Sequence, residues 1–254
     1  MRNLLIIWMT VAFFSLPLQA MATDTPSADH APMVIASVDG GASQQVVKEE
    51  ADENISDPLE PWNRIIFTFN DLFYHGILKP VTLVYEFILP EPVRVAVKNF
   101  FHNLAMPKHF LSAVLQGKWE AAGTELSRFG INTILGGLGF FDVAETYFNL
   151  TSSDEDIGQT LGTLGMSDVI YIQWPFIGPS NLRDSIGVAS DFVLNPLTYY
   201  PDNAWARTAI YNVKVVNHTS LHLGEYEDLK KASLDPYVAL RDAYLQMRRD
   251  QISR

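Results

Sequence analysis

The chain has 254 residues, no cysteine and a formal net charge of −11. That charge excludes a nucleic-acid binder, because phosphate recognition needs a basic face to release counterions, and it disfavours adhesion to anionic lipid by charge alone. The missing thiols exclude disulfides, thiolate metal sites and thiol catalysis, while 48% hydrophobic against 19% charged residues points to a chain that meets something less polar than water.

Residues 1–22 read as a secretory signal. Arg2 supplies a positive charge, Leu4 to Phe14 form a short apolar core, Pro17 breaks it, and Ala20-Met21-Ala22 offers a small-x-small cleavage site before Thr23. The alternative, an uncleaved anchor, needs a longer apolar run, about 18 residues. No cysteine follows the core, so the mature N-terminus is not expected to be lipidated in the bacterial lipoprotein manner. Residues 23–56 set Asp24, Asp29, Asp39, Glu49, Glu50, Asp52 and Glu53 against a single Lys48. Such a leader buries too little apolar surface to offset its ordering entropy and is expected to be a disordered tether.

A helical pattern fills 57–254. Asp57-Pro58-Leu59-Glu60 has the form of a capping box, complicated by Pro61. Trp62, Ile65, Ile66, Phe69, Leu72 and Phe73 then recur on one helical face, with Arg64, Thr68 and Asp71 on another. Pro80, Pro92 and Pro107 each mark a place for a new helix to begin. Val93, Val97, Phe100, Phe101 and Leu104 repeat the period, and Gly117 stands as a C-terminal cap after Phe110, Leu111, Val114 and Leu115. A helix from Trp119 towards Leu135 follows. Short connections between such helices predict antiparallel neighbours.

Gly136-Gly137-Leu138-Gly139-Phe140-Phe141 closes an uncharged stretch from 129 to 141, between Arg128 and Asp142. It is too short to span a bilayer as a helix. Two readings stand, a buried turn or a flexible lipid-facing hairpin. Asp154-Glu155-Asp156 reads as a solvated acidic loop. In a second glycine-rich region, 156–182, Val169-Ile170-Tyr171-Ile172 is the best strand candidate, and Gly178-Pro179-Ser180 reads as a turn rather than as a nucleophile. Helices return at about 182–194 and 203–223. The last begins at Asp235-Pro236 with Tyr237, Leu240, Tyr244 and Met247 on one stripe. Arg241, Asp242, Arg248 and Arg249 on its other face suggest a solvated surface helix.

Positive signs of chemistry are few. The chain has no GxSxG, no P-loop and no GxGxxG after a strand, so an enzyme is not expected. His218 and His222, four residues apart, share a helical face that can bind zinc, but no third ligand is evident. Two surface histidines are the simpler reading, and neither a metal nor a cofactor is expected.

Taken in order, these residues resemble the MlaA family, also called VacJ, of Gram-negative outer-membrane proteins. The resemblance runs through Asp57-Pro58-Leu59-Glu60, Asn63-Arg64, Phe67, Phe69-Asn70, Lys79-Pro80-Val81, Val93-Arg94, Asn99-Phe100-Phe101, Asn103-Leu104 and Pro107. It continues through Leu115-Gln116-Gly117, Arg128-Phe129, Ile131-Asn132-Thr133, Gly136 to Asp142, Gly158 to Gly162, Pro175, Gly178-Pro179-Ser180, Arg183-Asp184 and Asp235-Pro236-Tyr237. Each string alone is weak; the ordered set, covering about 57–250, is specific.

The resemblance implies an all-α, ring-like bundle of amphipathic helices around a central amphipathic channel, with glycine-rich hairpin segments. It implies a protein in the inner leaflet of the outer membrane that removes phospholipid misplaced in the outer leaflet and passes it to a periplasmic lipid carrier, in association with an outer-membrane porin trimer. Matching positions make Arg64, Asn70, Arg128, Asn132 and Asp142 candidates for a headgroup path, against ordinary surface or capping roles. Gly136, Gly137 and Gly139 become hinges of a mobile hairpin. Three features depart from the family: no cysteine for lipidation, Thr68 where asparagine is frequent, and few glycines in Gly165-Met166-Ser167-Asp168. A soluble periplasmic adaptor is the alternative from another class, and a hydrolase built around His218 and His222 a third.

Overall fold

The computed structural model describes residues 57–167 and 170–253. The signal and the acidic leader lie outside the described residues, as does Val169.

The first helix, α1 (Glu60–Phe73), runs through a π-helical turn (Tyr74–Leu78) into α2 (Lys79–Ile88). The capping box does not form: Leu59 is the N-cap, without a side-chain bond, and Asp57 instead accepts from the Asn63 amide and the Tyr237 hydroxyl. Nor does Pro80 begin a separate helix. The Lys79 N–H reaches back five residues to the Tyr74 carbonyl, and this wider turn absorbs a proline whose ring clashes with the carbonyl four residues earlier in an ordinary helix. The chain breaks at Leu89-Pro90 and bends by 115° into α3 (Glu91–Leu104). No single described helix is long and apolar enough to cross a membrane.

Next come α4 (Met106–Leu115), α5 (Trp119–Ile134), α6 (Val143–Phe148) and α7 (Ile157–Thr163). Gly117, at φ +73°, ends α4 as expected. Asp156 and Gln159 form a reciprocal capping box at the start of α7. A two-stranded antiparallel ribbon follows, β1 (Tyr171–Trp174) and β2 (Gly178–Asn181), with Ile172 opposite Ser180. Gly178-Pro179-Ser180 is therefore strand. The reversal lies just before it, at Pro175–Ile177, where Phe176 has φ +64°. The chain ends with α8 (Leu182–Leu194), α9 (Ala204–Leu221), α10 (Glu225–Ala232) and α11 (Pro236–Ser253).

These elements close a circuit. Helix α2 packs on α9, α9 on α3, α3 on α4 and α5, α4 on α7 and α7 on α11; α11 meets β2, and β1 returns to α1. A hydrophobic cluster of Tyr171, Tyr237, Tyr244 and Leu245 joins the ribbon to α11. The last helix is thus no solvated surface helix, since Tyr237, Leu240, Tyr244, Leu245 and Arg248 are all buried.

Two asparagines fasten the ribbon to α1. Asn63 donates to the Tyr171 carbonyl and accepts from the Gln173 N–H, while Asn70 donates to the Trp174 carbonyl and accepts from the Phe176 N–H. They stand seven residues apart, so both lie on one face of the helix, two turns apart.

The polarity of the molecule is inverted. Among the described residues, buried polar and charged side chains outnumber buried apolar ones, and Trp62, Ile65, Leu72, Val84 and Ile88 of α1–α2 are exposed. Phe87 is 92% exposed. In water such a face forgoes roughly 1.5–3 kcal/mol for each large apolar side chain left uncovered.

Candidate functional site

A cavity of about 480 Å³ lies within the circuit. Its wall carries Lys98 and His102 from α3, Lys108 and His109 from α4, Arg128 from α5, Asp184 and Asp191 from α8, Lys214 and His218 from α9, and Arg248 from α11. Apolar Phe101, Ile177, Val188, Val215 and Met247 separate these charges, so the lining is amphipathic.

Of the five residues proposed for a headgroup path, Arg128 and Asp142 line this cavity and Arg64, Asn70 and Asn132 do not. Arg64 is partly exposed and clamps Glu60 at 2.8 Å and Asp235 at 2.8 Å, tying α1 to the start of α11. Asn70 holds the ribbon. Asn132 accepts from the Ala144 N–H at 2.8 Å and donates to Asp142 at 2.9 Å. Arg128 completes that cluster, donating to Asp142 at 2.7 Å and to the Leu150 carbonyl. Burial alone would raise the Asp142 carboxyl, but Asn132, the Glu145 N–H and Arg128 together hold it below the usual carboxylate range. Arg128, Asn132 and Asp142 thereby fix the ends of the glycine-rich turn.

That turn is compact and its tip apolar. Leu138 donates to the Thr133 carbonyl and Gly139 to the Asn132 carbonyl, while Leu135, Leu138 and Phe141 are exposed. Phe140 stacks on Phe100 with ring centres 4.9 Å apart. The three glycines have different reasons to be glycine. A Cβ at Gly136 would lie 2.1 Å from the Phe141 carbonyl oxygen, and one at Gly139 would meet Asn103 at 2.5 Å. Gly137 has open space but φ +62°.

The acidic run Asp154-Glu155-Asp156 is not a free acidic loop, because each carboxylate has a partner from a different part of the chain. Asp154 takes His102 at 2.7 Å, Glu155 takes Lys118 at 2.7 Å, and Asp156 takes Arg248 at 2.7 Å. Arg248 also forks onto Asp184, which accepts further from Arg183, Tyr244 and Asn181. Burial would raise both Asp156 and Asp184, but these donors win: Asp156 is held down at about 2, and Asp184 is lowered too.

The cavity lysines Lys98, Lys108 and Lys214 escaped the sequence reading. Lys108 meets Asp191 at 3.3 Å. Lys214 faces the same pair, and burial, reinforced by Lys108, pushes its amine down to about 8 against the pull of Asp191. The signal for Lys214 was a lone lysine within the otherwise uncharged run from Ala209 to Asn217.

The histidines also differ from expectation. His218 and His222 are not a surface pair: His218 lines the cavity, burial pushes it down to about 4, and its ring lies 4.6 Å from that of His222. Among the described residues, a different group can hold a metal: His102, His109 and Asp154, whose ligand atoms lie within 4.8 Å of one another. Sequence spacing hid it, because the two histidines sit on different helices and Asp154 is 45 residues beyond His109.

A sequence profile described as MlaA lipoprotein matches residues 55–251. The chain belongs to the MlaA family. It is 33% identical over 198 residues to the Escherichia coli K12 protein named intermembrane phospholipid transport system lipoprotein MlaA, covering 75% of this chain and 76% of that one. An uncharacterized Rickettsia conorii protein is 34% identical over 195 residues, 76% of this chain and 77% of its own. A solved structure reported as the structural basis for maintenance of bacterial outer membrane lipid asymmetry superposes with a TM-score of 0.68 at 31% identity, over 78% of this chain and 99% of that one.

Several of the strings that carry the MlaA resemblance are framework. Arg183-Asp184 is the buried knot just described. Gly158 lets α7 approach it, since a Cβ there would lie 2.5 Å from the Asp184 carboxylate, and one at Gly187 of α8 would lie 2.7 Å from the Gly158 nitrogen. The named MlaA relatives are called lipoproteins; this member contains no cysteine.

Proposed function

We propose that this protein is a phospholipid conduit of the outer membrane that keeps the two leaflets asymmetric, taking misplaced phospholipid from the outer leaflet through its central cavity to the periplasmic side. The observation that carries this reading is the inverted polarity: apolar side chains turned outward around a charged, amphipathic cavity. An apolar exterior is stable where acyl chains replace water, and the cavity offers a phosphate headgroup the cations that hydrocarbon lacks. The names of the Escherichia coli and Haemophilus influenzae relatives, both intermembrane phospholipid transport system lipoproteins, support the same reading.

Lys108 and Lys214 are the cations best placed to meet a phosphate. They share the counter-ion Asp191, whose Oδ1 is buried without a hydrogen-bond donor. Arg128 and Asp142 serve as wall and as anchor of the glycine-rich turn, with Gly136, Gly137 and Gly139 as the points about which that turn moves. A porin trimer beside the apolar rim and a soluble lipid carrier below it complete the proposed route. With no cysteine to acylate, membrane attachment rests on the apolar faces and on such partners.

The experiment is to measure outer-leaflet phospholipid in cells lacking the protein, with and without a restoring copy. The reading requires a rise that the copy reverses. An unchanged outer leaflet in cells confirmed to lack the protein would contradict it.

A further inference from the structure

The geometry points to a divalent transition-metal site, of the kind that takes zinc, made by His102, His109 and Asp154 on the cavity wall. This inference does not depend on the transport reading; it stands on the side chains themselves. All three residues face the cavity, and they arrive from three separate elements: His102 from the last turn of α3, His109 from α4, and Asp154 from the segment between α6 and α7.

The donor set suits the ion. Two imidazoles and one carboxylate form a common zinc set that leaves a coordination position open, whereas magnesium and calcium prefer oxygen ligands throughout. His109 has its tautomer fixed. Its Nδ1 lies 2.9 Å from the Glu155 carbonyl oxygen, which can only accept, so Nδ1 carries the hydrogen and Nε2 keeps a free lone pair. Orientation by a backbone carbonyl is the usual second partner of a zinc-binding histidine. Asp154 is also held. Its backbone sits at φ +50°, a left-handed conformation that side-chain-bearing residues seldom adopt, and its Oδ1 accepts from Ser152 at 2.9 Å.

His102 Nε2 and Asp154 Oδ1 now stand 2.7 Å apart as a hydrogen-bonded pair. Ligand atoms about 2.0–2.1 Å from a tetrahedral zinc are about 3.4 Å from each other, so the pair opens by well under 1 Å as the ion replaces the shared hydrogen. Both side chains retain the freedom for this, being 30% and 39% exposed. The ion then holds three protein ligands and turns its fourth position towards the cavity, where water or an anionic oxygen completes it.

The test is zinc titration of the purified, chelator-stripped protein in detergent, followed by calorimetry and by competition with a chromophoric chelator. One zinc per chain is expected, with His102→Gln and Asp154→Asn each weakening binding by at least about tenfold. These variants replace partly exposed side chains and keep a polar group. His109→Ala, which empties a buried position, is read only beside its circular dichroism and melting curve. The double variant His218→Gln/His222→Gln should retain full uptake. X-ray absorption of the loaded protein should show two imidazole nitrogens at about 2.0 Å. Absence of stoichiometric uptake by the wild type, wild-type affinity in His102→Gln and Asp154→Asn, or uptake abolished only in the His218/His222 variant would each overturn the site.

Discussion

Asp184 concentrates the buried polar chemistry of this molecule at a single carboxylate. It is 6% exposed and accepts from two guanidinium groups, a tyrosine hydroxyl and an asparagine amide. Removing its charge leaves Arg248 and Arg183 buried with too few acceptors, so Asp184→Asn should cost about 3 kcal/mol in urea unfolding. Asp156 gives a matching pH signature. Its folded-state carboxyl is depressed to about 2, so its charged form contributes stability above the ordinary carboxylate range, and that contribution is lost as pH falls through about 2. The gap in urea midpoint between wild type and Asp156→Asn should hold constant above about pH 5 and close towards pH 2; a gap that widens on acidification would refute the assignment. At Lys214 the expectation is functional. A charge-assisted hydrogen bond to phosphate contributes roughly 1.5–3 kcal/mol, so Lys214→Met should weaken binding of a phosphatidyl headgroup about tenfold while leaving the fold intact. Little of this was legible in sequence. Periodicity placed Arg64 opposite the apolar face of its helix and the family resemblance singled out Asn70 and Asn132, but neither could name their partners. Asp235 and the ribbon backbone are more than 100 residues away from Arg64 and Asn70. Likewise, Asp154 to Asp156 reads as solvated until His102, Lys118 and Arg248, from elsewhere in the chain, each pair with one of them.

At the scale of elements, the helices announced themselves, whereas of the ribbon only the first strand did, through Tyr171-Ile172. Prolines at 92 and 107 and the stop at Gly117 fall at observed boundaries, because their backbone constraints are local. Pro80 misled for the same reason, since only the surrounding π turn shows how a proline is carried through. Gly178-Pro179-Ser180 has turn composition yet forms a strand, held by pairing with β1 and the packing of both strands on α1 and α11. The glycine-rich turn between α5 and α6 was legible in place and apolar character. Its glycines separate two effects. Gly137→Ala meets only the left-handed backbone cost, roughly 1–2 kcal/mol, whereas Gly136→Ala must displace the Phe141 carbonyl. Gly137→Ala should therefore fold and localise normally while slowing lipid transfer, and Gly136→Ala should lower the melting temperature as well. Normal transfer in a folded Gly137→Ala would remove the hinge role.

For the whole molecule, the shortage of charge relative to hydrophobic content anticipated an apolar exterior, but only the closed circuit shows which faces turn outward. Phe87 and Ile88 lie at the bend between α2 and α3, where no described residue covers them. Phe87→Glu should leave the melting curve of the detergent-purified protein unchanged and release it from membranes into a carbonate wash. Retention equal to wild type would move the membrane contact elsewhere.

The central claim is that phospholipid passes through the cavity rather than along the outside of the ring. Val188 lines that cavity from α8, and Val188→Trp places an indole in the passage without removing a charge. In cells lacking the native copy, outer-leaflet phospholipid should stay as high with Val188→Trp as with no protein at all, although the variant is made, folded and membrane-bound. Full restoration of the outer leaflet by Val188→Trp would contradict the account.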